Sequence, residues 1–521
     1  MRFFGIVLAG ALSVAATQAW AAAPQTRVAQ GVLLGTREHG VDVFRGIPFA
    51  APPVGKLRWQ PPAPPRSWAG LRRATKFGPI CPQNVHSGFA ASLPQSENCL
   101  TVNVWTKRLH PSVLRPVMVW IYGGGFVEGG SPLPYYDGSE LAQRGVLVVS
   151  FNYRLGWLGF FDDPDLAHKG VATGNYGLMD QIAALKWVRK NIAAFGGDPS
   201  KVTIFGESAG GMSVNDLMTS PMARGLFIRA ISESGLGLVP LPSAQAAEQA
   251  ARAFLAREHI KGNGPKALAA MRRLPVRAIV ADLEGKPFDE TPAPMIDGTI
   301  LREQPVVAFA RGDIAHAAYM AGSNSDEASL LTATGLTTAA VLSRTGPSLP
   351  QLRALYVQHG IEGNGALADA LFDDRVFAAG AQGLALYAAQ HREPAFVYYF
   401  AYVPQMLRPH VHGVGHGYEV PFVFGNHGYA GRYPKFAAKL QRGTTAQDRA
   451  VRRMVQRYWT NFAKTGNPNG RLLPDWPATK PGQEVTLVIR TRSHAVRNFH
   501  GRRMASAFTA FTAQTHLPIP H

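Results

Sequence analysis

The feature that most constrains this chain is a rhythm of short apolar runs broken by an amphipathic helix. Pro116 to Tyr122 reads PVMVWIY, Gly145 to Asn152 reads GVLVVSFN, and Lys201 to Phe205 reads KVTIF. Runs that are β-branched and apolar on both faces, each bounded by Gly, Pro or Asn, predict the buried strands of a parallel sheet. Between the last two lies Gly177 to Ala194, in which Leu178, Ile182, Leu185, Val188 and Ile192 recur on one helix face. Gly196-Gly197 predicts its stop. Strand, helix, strand in that order predicts a doubly wound α/β fold. Ala317 to Gly322 and Ala395 to Ala401 are two further candidate strands, and the segment from about 330 to 393 reads as largely helical. Residues 24 to 75 read as short strands and Pro-rich loops. With no internal repeat and no linker, the expectation is one large domain over residues 22–521, with helical excursions.

The third strand runs directly into Gly206-Glu207-Ser208-Ala209-Gly210, and Gly211-Met212-Ser213-Val214 follows as a helix start. G-x-S-x-G by itself is a weak signal. Set between a strand and a helix it matches a nucleophile elbow, whose tight turn leaves no room for a Cβ at the flanking glycines and lifts the serine hydroxyl into the cleft. A serine hydroxyl is a poor nucleophile at neutral pH, so it requires a base, an acid to orient the base, and donors for an oxyanion. Tyr122-Gly123-Gly124-Gly125-Phe126 follows the first strand, and consecutive glycines let backbone N–H groups face a ligand oxygen. The candidate oxyanion donors are the N–H groups of Gly124, Gly125 and Ala209. The rival reading, a phosphate cradle, requires G-x4-G-K-[ST], which is absent.

Lys and Arg number 53 against 34 Asp and Glu, a formal charge of +19. The cations are scattered and mostly Arg, with no zinc-finger spacing and no RNP-type aromatic motif, so the reading is a basic surface and not a nucleic-acid groove. A mild preference for anionic surfaces or substrates stays open. Met1-Arg2, an apolar run from Phe3 to Ala16, and Ala19-Trp20-Ala21 predict a signal peptide over residues 1–21, and hence export to a periplasm or the cell exterior. No other stretch approaches a membrane span. The two cysteines, Cys81 and Cys99, are then expected to form one disulfide, with two free thiols as the competing reading.

Several long motifs, in order over nearly the whole mature chain, resemble the type-B carboxylesterase family of the α/β-hydrolase fold, which includes the cholinesterases. They are Phe44-Arg45-Gly46-Ile47-Pro48-Phe49-Ala50, Glu97-Asn98-Cys99-Leu100, Asn152-Tyr153-Arg154-Leu155-Gly156, Gly174-Asn175-Tyr176-Gly177-Leu178, Phe195-Gly196-Gly197-Asp198-Pro199 and Phe462-Ala463-Lys464-Thr465-Gly466-Asn467-Pro468. Asn98 stands where the family usually has Asp. The resemblance implies a central, mostly parallel sheet flanked by helices, with helical insertions around a gorge. In the segment Gly322-Ser323-Asn324-Ser325-Asp326-Glu327-Ala328 it implies Glu327 as the acid, with Asp326 as the local competitor and Ala328 replacing the usual Gly. In His416-Gly417-Tyr418-Glu419-Val420-Pro421 it implies His416 as the base. Glu207, Glu419 and Ser234 match recurrent supporting positions, for which ordinary buried hydrogen bonding is the alternative. The resemblance also pairs Cys81 with Cys99.

His410, His412 and His416 form an H-x-H-x3-H pattern, but Gly413, Gly415 and Gly417 break any helix that would align them, so no metal is expected. The expected activity is hydrolysis of a small-molecule carboxylic ester through an acyl-enzyme on Ser208, with no cofactor. The rival readings are a catalytically silent binding or adhesion protein on the same scaffold, and amidase, thioesterase or lipase activity. Cholinesterases resemble one another in a Trp within the first disulfide loop; residues 82–98 contain none, and Phe89 is the aromatic there, which argues against a quaternary ammonium ester. Phe126, Trp157 and Phe160 are candidate gorge residues, with core packing as the alternative. The natural ester and the oligomeric state are not legible.

Overall fold

The computed structural model describes residues 23–84, 90–163, 166, 173–262, 264–286, 290–426, 443–515 and 517. The apolar leader at 1–21 and Phe89 lie outside them. In chain order the main sheet is built from Thr36–Glu38 (β1), Val41–Pro48 (β2), Thr101–Thr106 (β3), Arg115–Ile121 (β4), Leu147–Phe151 (β5), Gly197–Glu207 (β6), Arg229–Glu233 (β7), Ala318–Asn324 (β8), Ala395–Phe400 (β9), Val485–Ile489 (β10) and His494–Arg497 (β11). Their spatial order is β11-β10-β9-β8-β7-β6-β4-β5-β3-β2-β1. The run from β10 to β5 is parallel throughout, and antiparallel pairs close both edges. This is the α/β architecture that the apolar rhythm predicts. A small sheet of Gln25–Val28, Gly31–Leu34 and Leu71–Arg73 lies apart from it.

The sheet forms where the sequence is apolar on both faces. Val117 to Ile121 on β4 and Leu147 to Phe151 on β5 are wholly buried, as central parallel strands covered by helices must be. The predicted helix appears as α1, Tyr176–Asn191, and a 3-10 turn carries it to Gly196, whose left-handed φ of 84° ends it. The elbow helix is α2, Ala209–Thr219, and the Ala-rich stretch folds as α3, Ala244–Arg257. Helical segments occupy much of 331–390, ending in α4, Ala379–Gln390. Near the C-terminus α5, Ala446–Thr465, opens on a capping box. Thr445 Oγ1 accepts from Asp448 N at 3.1 Å while Thr445 N donates to Asp448 Oδ2 at 2.7 Å.

Strand register sets the site. Ile121 pairs with Gly206, Glu207 with Glu233, and Glu233 with Gly322. The carboxyl ends of β4, β6, β7 and β8 therefore lie at one level, where loops of an open α/β sheet converge. Phe126, Trp157 and Phe160 are all buried in packed core: Phe126 meets Phe160 edge-on at 5.3 Å, and Trp157 stacks on Phe254 at 5.0 Å. Among the described residues no helix is long and apolar enough to cross a membrane.

Cys81 and Cys99 form a disulfide across a sequence separation of 18, so two free thiols are excluded. Closing a loop of that length restricts the unfolded chain by about 3 kcal/mol. Cys81→Ser/Cys99→Ser is expected to unfold several degrees below the wild type in a calorimetric scan. An unchanged melting temperature would mean that surrounding packing alone holds this loop.

Candidate active site

The local sequence dictates the elbow. Ser208 stands between β6 and α2 with φ 58° and ψ −125°, a region non-glycine residues rarely occupy. Its N–H donates to Glu233 O at 2.9 Å and its carbonyl accepts from Met212 N at 2.8 Å, so both flanking elements hold the turn. A Cβ on Gly206 would sit 2.6 Å from Ile121 O and from Gly210 C, which is why glycine is required there. The loop after β4 presses on the same turn: a Cβ on Gly123 would lie 2.9 Å from Ser208 Cβ and 3.0 Å from Glu207 Oε2. The N–H groups of Gly124 and Gly125 meet no acceptor among the described residues, and Ala209 holds the first position of α2, where helix N–H groups have no partner within the helix.

Glu327 follows β8 on a 3-10 turn and is wholly buried. Its carboxylate accepts three hydrogen bonds: from Asn324 N at 2.7 Å, from Ser234 Oγ at 2.6 Å and from His416 Nδ1 at 2.6 Å. Its sequence neighbour Asp326 is turned elsewhere. It makes a backbone bridge to Gly415 and is half-buried, with burial and the nearby Asp369 raising its carboxyl. Ser234 itself sits in a strained turn, φ 49°, at the end of β7.

His416 is 4% exposed. Its N–H donates to Ser329 Oγ at 3.0 Å, and the Phe377 ring packs on the imidazole at 5.2 Å between centroids. Nε2 lies 3.2 Å from Glu207 Oε1, so the imidazole spans from the acid on the turn after β8 to the residue that precedes Ser208. Imidazole, carboxylate and elbow are thus brought together from segments far apart in the chain. An imidazole held at Nδ1 by a carboxylate keeps Nε2 as the proton-accepting nitrogen.

The sequence reading left out part of this site. Glu207, Glu233, Glu327 and Glu419 are all buried, with Glu327 at Nδ1 of the imidazole and Glu207 at Nε2. Glu233 lies within the Ile231-Ser232-Glu233-Ser234-Gly235 motif but had no role assigned; Trp459 of α5 donates to it at 2.8 Å, and burial pushes its carboxyl well up. Asn324 donates to both Gly415 O, at 3.1 Å, and Glu419 Oε2. Its position in the acid-bearing segment was the available signal.

Glu419 is pushed up to about 8, first by burial and then by repulsion from Glu207 and Glu327. An unfolded Glu titrates near about 4.3. Between these values the folded chain holds a proton that the unfolded chain releases, so this group's contribution to stability is full at low pH and is lost as pH rises through about 8. Glu419→Gln keeps an acceptor for Asn324 and removes the titration. Its melting temperature relative to wild type is expected to climb between pH 5 and 9; parallel curves would contradict the assignment.

Comparison with known proteins shows the family. The model of the carboxylesterase family matches residues 22–360 and 351–506. The chain is 38% identical over 461 residues to the fumonisin B1 esterase of Sphingopyxis macrogoltabida, covering 86% of this chain and 83% of that protein. It is 36% identical over 477 residues to the para-nitrobenzyl esterase of Bacillus subtilis, covering 88% and 93%. A solved carboxylesterase of Geobacillus stearothermophilus superposes with a TM-score of 0.81 at 32% identity, over 92% of this chain and 99% of that one. With these matches over most of its length, the chain belongs to the carboxylesterase family and is a carboxylic ester hydrolase of the α/β-hydrolase fold.

Proposed function

We propose that the chain is an exported serine carboxylesterase in which Ser208 is the nucleophile, His416 the general base and Glu327 the orienting acid. The observation that carries this reading is the 2.6 Å bond between Glu327 Oε2 and His416 Nδ1, made beside a strained serine elbow. His416 Nε2 takes the hydroxyl proton as Ser208 Oγ bonds to the ester carbonyl carbon. The carbonyl electrons move to oxygen, where the N–H groups of Gly124, Gly125 and Ala209 receive the charge. Collapse of this intermediate breaks the C–O bond, and the imidazolium gives its proton to the departing alcohol. Water gives a proton to the same nitrogen as it attacks the acyl carbon; the bond to Ser208 Oγ then breaks, that oxygen takes the proton back from the imidazolium, and the acid leaves.

The surrounding groups serve the imidazolium. Glu327 stabilises its positive charge at Nδ1, and Ser234 Oγ and Asn324 N hold that carboxylate in place. Glu207, 3.2 Å from Nε2, adds negative potential on the other side. Glu419, tied to Asn324, braces the same segment from behind. Export is supported by the apolar leader of the sequence and by the Cys81–Cys99 disulfide, since such bonds persist in oxidising compartments.

Hydrolysis of p-nitrophenyl esters from acetate to palmitate by the mature protein and by Ser208→Ala tests the reading. The wild type is expected to be active with a chain-length optimum set by its acyl pocket. The variant is expected to lose on the order of 10⁴-fold or more in kcat. Comparable rates in both would remove Ser208 from the chemistry. Because the base must be neutral, kcat/KM is expected to fall as pH drops below about 6.5. A flat profile from about pH 5 to 8 would exclude an imidazole base.

A further inference from the structure

The end of the sheet opposite Ser208 carries an unusual surface. The strands β5, β4, β6 and β7 are parallel, so the loops that lead into them share one edge, with the elbow at the other. The 11 residues of β6 separate the two by roughly 30 Å. The loop entering β4 reads Lys107-Arg108-Leu109-His110-Pro111-Ser112-Val113-Leu114-Arg115, with no acid. Val113 is 75% exposed and Leu114 39%. Lys107 and Arg108 are exposed and make no ion pair among the described residues.

This loop is continuous with two others. Gly196, at the end of α1, packs so closely on it that a Cβ there would meet Pro111 Cδ at 2.6 Å and Arg108 O at 2.8 Å. The last turn of α1 presents Arg189 and Lys190, both exposed, and Arg189 reaches across to Gly225 O in the loop before β7. That loop exposes Met222 by 43% and Ile228 by 39%. Two acids of this edge are paired with cations, Asp198 with Lys201 at 3.2 Å and Asp313 with Arg224; Glu393 lies 3.0 Å from the exposed His316 ring, away from the Lys107–Arg115 loop in sequence. The result is a face on which Lys107, Arg108, Arg189 and Lys190 make no ion pair among the described residues and stand among protruding aliphatic side chains.

We propose that this base of the sheet is a docking face for an anionic phospholipid bilayer. Cations attract the acidic headgroups, and Val113, Leu114, Met222 and Ile228 enter the interfacial layer. A nucleic acid or acidic polysaccharide would use the charge but has no place for four exposed aliphatic groups. Docked in this way, the chain turns its candidate active site toward solvent, where a soluble ester can reach it.

Co-sedimentation of the mature protein with vesicles tests this. Vesicles of phosphatidylcholine mixed with phosphatidylglycerol are expected to carry the protein down at low salt and release it as salt rises; phosphatidylcholine alone is expected to leave it in solution. Lys107→Glu/Arg108→Glu is expected to lower the partition about tenfold. Val113→Ser/Leu114→Ser, which changes no charge, is expected to lower it about threefold or more. All variants are expected to keep the wild-type melting temperature and the wild-type rate on p-nitrophenyl acetate. Absence of binding to the anionic vesicles, or equal binding to both kinds, would overturn the proposal. So would a serine variant that binds as well as wild type while the glutamate variant does not, since the face would then recognise any polyanion.

Discussion

The site depends on one buried hydrogen bond, from the imidazole of His416 to the carboxylate of Glu327. A carboxylate with no exposure is costly unless nearly every lone pair is answered. Here it accepts from Asn324 N, Ser234 Oγ and His416 Nδ1 at 2.6–2.7 Å, and each partner comes from a different part of the chain. That requirement ties the end of β7, the turn after β8 and the histidine segment into one unit. The backbone bridge between Asp326 and Gly415 and the bond from His416 N to Ser329 Oγ hold the same join. Removing either member would leave a buried charge or polar group unpaired, so the pair is also a structural commitment.

The sheet supplies the rest by register. Because Ile121 pairs with Gly206, Glu207 with Glu233, and Glu233 with Gly322, the glycine loop, the elbow, the Ser234 turn and the acid emerge side by side. The strained backbone of Ser208 is maintained because strands on both sides overdetermine it: Glu233 O takes its N–H, and Gly206 abuts Ile121. The neighbouring glutamates add a second layer. Glu233 and Glu419 are both driven toward the protonated form, first by burial; Glu419 adds to the push on Glu233, and Glu207 and Glu327 to the push on Glu419, so these buried carboxyl groups do not all carry a full charge.

Much of this was legible because it is local. The strands around 116–122, 145–152 and 201–205 announce themselves by unbroken apolar runs, and the elbow by glycines at fixed offsets from a serine. The choice of Glu327 over Asp326 came from a resemblance, and the geometry on which it rests is a contact across 89 residues that no local pattern encodes. What escaped was set by long-range packing. β7 is a short run, Arg229–Glu233, ending in a charged residue, so nothing in its pattern marks a central strand. Glu233 gains its place only through Trp459, 226 residues away. Phe126, Trp157 and Phe160 show the converse: three aromatics near the motifs that pack as core.

The most direct test of the central claim is whether Glu327 acts only through His416. A cycle of Glu327→Gln, His416→Ala and the double variant, read as kcat/KM on one p-nitrophenyl ester, measures that coupling. If the carboxylate serves the imidazole, the double variant will be no slower than His416→Ala alone. Losses that multiply would mean that the two residues act independently, and the pair would not be the unit on which this site is built.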